Sequence, residues 1–155
     1  MTLLPRDLWS GALACAAAGA LMALSFVATP VKFLAAGVPL EHLLAVGRVT
    51  FRASLLTELI LLFPLLLLAR PKVRWLAGLA AFTLAVQWLV IMPPLDVRTL
   101  ARMSGEPLPP SFLHLLWILA DALRLLLYLA MAVLSLSPGR NSGGQELVQK
   151  EEVPT

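Results

Sequence analysis

Charge is scarce in this 155-residue chain, because only 14% of the residues are Asp, Glu, Lys or Arg whereas 59% are hydrophobic. Soluble domains carry about 25% charged residues, so an ordinary soluble domain is excluded. A single cysteine, Cys15, excludes an intrachain disulfide. The basic residues stand at the ends of apolar runs and form no clustered basic face, which excludes nucleic acid as a partner. The composition instead predicts a partner in the lipid bilayer.

Enzyme signatures are also missing from the sequence. It contains no Walker loop, no Gly-x-Ser-x-Gly, no His-Glu-x-x-His and no glycine-rich dinucleotide turn. We therefore predict no catalytic residue and no cofactor. His42 and His114 are the two histidines of the chain and its candidates for a metal or haem site. Neither belongs to a Cys-x-x-Cys-His sequence, so a redox protein is the alternative that we rank last.

What the chain has in abundance is apolar sequence, in four runs bounded by Pro, Gly and basic residues. A membrane-spanning helix needs about 20 apolar residues. The runs predict an all-α integral membrane bundle with transmembrane helices at 8–28, 42–69, 75–92 and 111–136. Pro30 and Pro93-Pro94 are expected to end the first and third helices, since proline disfavours a continuing helix. Residues 1–137 form the predicted transmembrane domain, and the polar tail 138–155 is predicted to be disordered.

Small residues recur at a spacing of four in the first run, at Gly11, Cys15 and Gly19. Inside lipid, helices associate through close packing at small residues. The spacing therefore predicts that these three residues form the contact face of the first helix.

The short loop after the second run carries three basic residues, Arg70, Lys72 and Arg74. Basic residues are enriched in short cytoplasmic loops. This loop favours an orientation with both termini in the cytoplasm, and we expect the bacterial inner membrane as the location.

Four polar residues lie inside the predicted spans, where such groups usually face the bundle interior. They are Glu58, Gln87, Asp121 and Arg124. Glu58 shares a helix face with Gly47, Phe51 and Ser54, and Asp121 and Arg124 share one with His114, Trp117 and Tyr128. At 1.5 Å per residue, Glu58 and Arg124 lie at similar depths of about 24 and 20 Å. We predict that Arg124 pairs with Glu58 across the bundle, with Asp121 as a competitor. The cluster is either a functional site or a set of interhelical ties.

A second polar cluster is predicted at one membrane face, from the first and third connections of the chain. Its members are Lys32, Arg48, Arg52, Asp96, Arg98 and His114. A ring of Lys and Arg at this level binds an anion or a lipid headgroup, or its side chains extend individually to the interface.

The sequence resembles a group of small bacterial four-helix membrane proteins that are known only as a domain of unknown function. The residues that carry the resemblance are Ser25–Phe33, Gly47–Arg52 with Glu58, Gln87, Pro94–Arg98, Gly105 and Pro109–His114. The resemblance implies the four-helix topology, and it implies no activity, cofactor or partner.

Two function classes follow from these observations. The first is a non-enzymatic accessory or assembly subunit that acts through helix contacts with other membrane subunits or with itself. The alternative is a small oligomeric transporter or proton pathway built on the intramembrane polar residues.

Overall fold

A computed structural model describes residues 5–137 of the protein. Within this part of the chain 87% of the residues are helical and none lies in a strand. The helices are α1 (Pro5–Leu34), α2 (Leu40–Leu68), α3 (Pro71–Met103) and α4 (Leu113–Leu136). The predicted all-α fold of four helices is confirmed, and the predicted disordered tail lies outside the described residues.

All four helices are long and apolar enough to cross a membrane. Large apolar side chains such as Phe63, Phe82 and Leu126 point outward from the bundle. A soluble protein would bury such side chains, whereas a lipid environment solvates them. The protein is therefore an integral membrane protein.

Two predicted helix ends are wrong, because α1 continues past Pro30 to Leu34 and α3 continues past Pro93-Pro94 to Met103. In both cases a π-helical segment precedes the proline, at Met22–Ala28 in α1 and at Gln87–Ile91 in α3. The prolines then occupy the first positions of a new α-helical segment. A proline is tolerated there because its missing N–H has no helical partner to lose.

The helices form a ring in which chain neighbours pack together: α1 on α2, α2 on α3, α3 on α4, and α4 back on α1. α2 and α4 thus lie on one diagonal of the bundle. Side chains that point inward from these two helices meet on the bundle axis.

Alanine is the commonest residue on the contact face of α1. It contains Ala14, Ala17, Ala18 and Leu21, all of which are buried. The predicted stripe is wrong beyond Gly11, because Cys15 and Gly19 are exposed. Residues three and four apart share a helix face, and Ala14, Ala17, Ala18 and Leu21 follow this spacing. The face that they form packs against α2 and α4.

Gly11 of α1 packs closely against Leu136 at the end of α4. A Cβ atom at Gly11 would lie 2.6 Å from Leu136 Cδ2, whereas a Cβ at Gly19 would meet nothing within 4 Å. The absence of a side chain at Gly11 is what admits the end of α4.

Candidate functional site

An ion cluster lies on the axis of the bundle, where the side chains of α2 and α4 meet. Arg124 Nη2 lies 2.5 Å from Asp121 Oδ1 and 3.3 Å from Glu58 Oε1. All three residues are at least 98% buried. The predicted pairing of Arg124 with Glu58 is confirmed, and Asp121 shares the same guanidinium nitrogen.

Neutral polar groups complete the cluster. Tyr128 Oη donates to Glu58 Oε2 at 3.1 Å, and the Ser54 hydroxyl lies 3.5 Å from Glu58 Oε1. Gln87 Nε2 donates to Asp121 Oδ1 at 2.8 Å. The cluster therefore connects α2, α3 and α4, and it contains all four of the intramembrane polar residues named from the sequence.

Helical spacing explains why these residues meet. Asp121, Arg124 and Tyr128 follow one another at intervals of three and four in α4, which places them on one face. Gln87 opens the π-helical segment of α3. A π-bulge adds a residue to the turn and often occurs at a functional site, and this one lies beside the ion cluster.

The cluster contains two carboxylates, Glu58 and Asp121, and one guanidinium, Arg124. Its formal charge is therefore −1 when both acids are ionised. A buried charge without a partner costs free energy that a protein normally avoids by neutralising the group. The arrangement therefore favours uptake of one positive charge.

Several buried polar atoms inside the bundle, some of them in the ion cluster, have unused hydrogen-bonding capacity. Within residues 5–137, five buried atoms have no hydrogen-bond partner: Arg124 Nε and Nη1, Gln87 Oε1, Trp117 Nε1 and Ser135 Oγ. Buried polar groups are nearly always bonded to protein or to water. Each of these atoms is also buried, so a ligand or a water molecule could reach it only if neighbouring side chains moved.

The cluster predicted at one membrane face separates into smaller groups. Arg48 makes two bonds to the carboxylate of Asp96, at 2.6 and 3.0 Å, and Arg52 Nη2 bonds the same carboxylate at 2.5 Å. These bonds connect α2 to the part of α3 that follows Pro93. The prediction that these residues come together is confirmed for this trio alone.

The other members of the predicted interfacial cluster have different contacts. Arg98 donates to the carbonyl of Pro109, and His114 lies against Phe51 with 6.4 Å between ring centroids. The Lys32 ammonium lies 5.5 Å from the centroid of the Phe51 ring.

In the part of the chain that the structure describes, the two histidines belong to no group of three possible metal ligands. Within residues 5–137 no group of three or more His, Cys, Asp and Glu side chains is placed to hold a metal ion. His42 Nδ1 lies 3.8 Å from Glu41 Oε1, and both of these side chains are exposed. The candidate roles of His42 and His114 as metal ligands therefore find no support in the described geometry.

A cavity of about 290 Å³ lies between α1, α2 and α4, next to the ion cluster. The cavity extends from the level of Phe33 and His114 to that of Ser25 and Asp121. His114 and Asp121 are two helical turns apart, or about 10 Å. The cavity thus connects one end of the bundle to a carboxylate of the ion cluster.

One buried charge is not predicted by any pattern in the sequence. Asp7 is 99% buried near the start of α1 and accepts a hydrogen bond from Arg70, which follows α2. The sequence places Arg70 in the basic loop, where it is expected to determine orientation. The two residues are 63 positions apart, and no spacing rule connects residues at that separation.

Comparison with known proteins gives no relative: no family model, no curated protein and no solved structure matches the chain.

Proposed function

We propose that the protein is a small proton pathway in the membrane, with the ion cluster of Glu58, Asp121 and Arg124 as its proton-binding site. The observation that carries the proposal is the charge count, since two buried carboxylates share one guanidinium. Binding of a proton forms one O–H bond on a carboxylate oxygen and brings the cluster to zero charge. Release of that proton breaks the O–H bond and restores the charge of −1.

A row of polar residues along α4 supports this function. The row contains Asp121, Arg124, Tyr128 and Ser135, which are all buried, and it begins at the exposed His114. From His114 to Ser135 the row is about 31 Å long at 1.5 Å per residue. This length matches the hydrocarbon thickness of about 30 Å. Intramembrane acids and histidines in such rows are typical of proton relays.

Proton flux into liposomes tests the proposal. Purified protein is reconstituted with a pH-sensitive dye inside the vesicles, and a potassium gradient with valinomycin provides the driving force. We expect dye acidification above that of empty vesicles. Glu58→Gln should abolish the increase, because it removes one proton-exchanging carboxylate while retaining the shape of the side chain.

Glu106→Gln is the matched control, since Glu106 is an exposed residue of the connection after α3. It should leave the flux unchanged. Glu58→Asp, which keeps the carboxylate, should recover part of the flux if the residue exchanges protons. Wild-type flux equal to that of empty vesicles, or full flux in a folded Glu58→Gln variant, would overturn the proposal.

A second candidate function is that of an accessory or assembly subunit. The observation in its favour is that the bonds of the ion cluster also hold α2, α3 and α4 together. Under this function the cluster is only a structural tie. Purification in mild detergent should then retain a membrane partner at fixed stoichiometry. Wild type should show only background proton flux, and Glu58→Gln should not change it.

The proposal includes an orientation with both termini in the cytoplasm and a location in the bacterial inner membrane. The basic residues Arg70, Lys72 and Arg74, which lie just before α3 and in its first turn, support this orientation. Cysteine-accessibility labelling checks it: single cysteines at Lys32 and Lys72 should react from opposite sides of the membrane.

A further inference from the structure

A pocket of about 340 Å³ lies at one membrane face, between the end of α3 and the start of α4. Arg98 and Arg102 of α3 line it, together with Ser111, just before α4, and His114 in the first turn of that helix. Among the described residues that line the pocket, none is acidic. Arginine is always protonated in proteins, so the pocket carries at least two positive charges.

Neither arginine is neutralised by a carboxylate. Within residues 5–137, the ion pairs involve neither Arg98 nor Arg102. Glu106, an exposed acid that follows them in the chain, belongs to none of these pairs either. Arg98 gives one N–H to the carbonyl of Pro109, and a guanidinium has several more. Both side chains therefore retain charge and hydrogen-bond donors for a ligand.

Arg98 and Arg102 are four residues apart in α3, which places them on one helix face. At this spacing the Cβ atoms of two side chains are about 5–6 Å apart. Like charges so placed repel each other and destabilise the helix, so an anion held between them would offset the repulsion. The pair thus favours an anionic ligand.

The start of α4 adds positive potential to the pocket. Its first turn contains no acidic residue, so the partial positive charge of the helix N-terminus is not neutralised there. The Leu113 N–H donates to the Ser111 hydroxyl oxygen at 3.2 Å, and the hydroxyl keeps its own proton to donate to a ligand. His114 adds a ring N–H on the same wall. Neutral donors thus stand beside the two arginines.

A pair of arginines is better suited to phosphate than to a carboxylate. One guanidinium binds two oxygens of either group through parallel N–H bonds. A carboxylate then has no further oxygen for a second arginine, whereas a phosphate group does. The pocket volume is at the lower end for small-molecule sites, so it accommodates a phosphate group with a small substituent.

The pocket lies at the level of the lipid headgroups. His114, on its wall, begins the polar row of α4, whose length of about 31 Å matches the hydrocarbon thickness of about 30 Å. This end of the row therefore stands at the boundary of the hydrocarbon, next to the phosphates of the phospholipids. The pocket also borders water, since Arg102 and Ser111 are exposed. A phosphate group can thus reach the pocket on a lipid or as a free ion.

We propose that this pocket binds a phosphate group between Arg98 and Arg102, supplied by a phospholipid headgroup or by free phosphate. A phosphate bound there would also connect the end of α3 to the start of α4. The ion cluster takes no part in this site, so the proposal stands independently of proton flux. If phosphate binding fails while Glu58→Gln still abolishes flux, only this proposal is lost.

Equilibrium binding to the purified full-length protein, in an uncharged and phosphate-free detergent, tests the proposal. The probes are radiolabelled inorganic phosphate and radiolabelled phosphatidylglycerol, and diacylglycerol, which lacks the phosphate, is the control lipid. We expect one saturable site per chain for a phosphate probe and none for diacylglycerol. Saturation by phosphatidylglycerol alone would identify a lipid headgroup as the source, and saturation by inorganic phosphate would identify the free ion. An equal concentration of acetate should not displace the bound probe.

Substitution of the two arginines locates the site. Arg98→Gln and Arg102→Gln should each weaken binding about 10-fold or more, as expected for the loss of hydrogen bonds between charged groups. Arg102 is exposed, so its variant keeps the test decisive if Arg98→Gln does not fold. Lys72→Gln, an exposed cation at the opposite end of α3, is the matched control and should bind as wild type does.

Four results would overturn the proposal. They are the absence of saturable binding of both phosphate probes to wild type, unchanged affinity in Arg102→Gln, an equal loss in Lys72→Gln, and displacement of the probe by acetate. Saturable binding of diacylglycerol would likewise contradict a site that recognises phosphate.

Discussion

Arg124 Nη2 of α4 lies 3.3 Å from Glu58 Oε1 of α2, across the diagonal of the helix ring. The same nitrogen lies 2.5 Å from Asp121 Oδ1. Because one cation serves two acids, the three residues form a single electrostatic unit, and their substitutions should not be equivalent.

The first prediction concerns the different effects on stability of substituting Arg124 and Glu58. Arg124→Gln leaves two buried carboxylates without a cation and should lower the free energy of unfolding by about 3–5 kcal/mol. Glu58→Gln removes the excess negative charge and should cost much less. The double variant should be more stable than Arg124→Gln alone. Unfolding of all three proteins in detergent measures the cycle, and strictly additive losses would contradict the coupling.

The second prediction concerns the contact of Asp96 with Arg48 and Arg52. Asp96→Asn should lower stability by about 1 kcal/mol, the upper range for partly exposed ion pairs. Glu106→Gln, an exposed acid outside this contact, is the control and should have no effect. The difference between the two variants should narrow in 1 M salt, since salt screens such pairs. A loss that is independent of salt would show that the pair does not act through charge.

The third prediction concerns the buried Asp7. Arg70→Gln leaves this carboxylate buried without its cation, whereas Asp7→Asn leaves a partly exposed arginine that water can solvate. We therefore expect Arg70→Gln to be the more destabilising of the two, by about 1 kcal/mol or more. Lys72→Gln, an exposed residue of the same region, is the control. Thermal unfolding in detergent gives the order, and the reverse order would contradict the burial of Asp7.

The fourth prediction compares two glycines of α1. Gly19→Ala should be neutral or slightly stabilising, because alanine favours helix by about 1 kcal/mol over glycine and the added Cβ meets nothing within 4 Å. Gly11→Ala must displace Leu136, whose Cδ2 would lie 2.6 Å from the new Cβ. We expect Gly11→Ala to be less stable than Gly19→Ala by about 1 kcal/mol or more. Equal stabilities would mean that α4 adjusts freely at this contact.

Spacing within a helix predicted the parts of the site that depend on one helix face. Glu58 and Arg124 could be brought together from their depths and faces alone, because both helices are regular up to those residues. Gln87 continues the buried face of α3 three residues after Leu84. Its bond to Asp121 joins two helices, and spacing within one helix does not determine such a contact.

The errors have physical causes of the same kind. The sequence predicts that Pro30 and Pro93 end helices, because the rule assumes a continuous α-helical ladder before the proline. The small-residue spacing predicts Cys15 and Gly19 on the contact face, but Ala14, Ala17 and Ala18 lie there instead. Asp7 was missed because its partner, Arg70, is distant in the chain. Contacts of this kind depend on how the helices assemble.

The π-helical segment before Pro93 also determines the register of everything that follows it in α3. Each residue turns an α-helix by about 100°, so deletion of one residue from Gln87–Ile91 would rotate the rest of α3 by that angle. Asp96 would then leave the side of the helix that faces Arg48. The one extra residue of the π-helical segment thus determines the direction in which the charged side chains after Pro93 point. The contact of Asp96 with Arg48 and Arg52 forms only in that register.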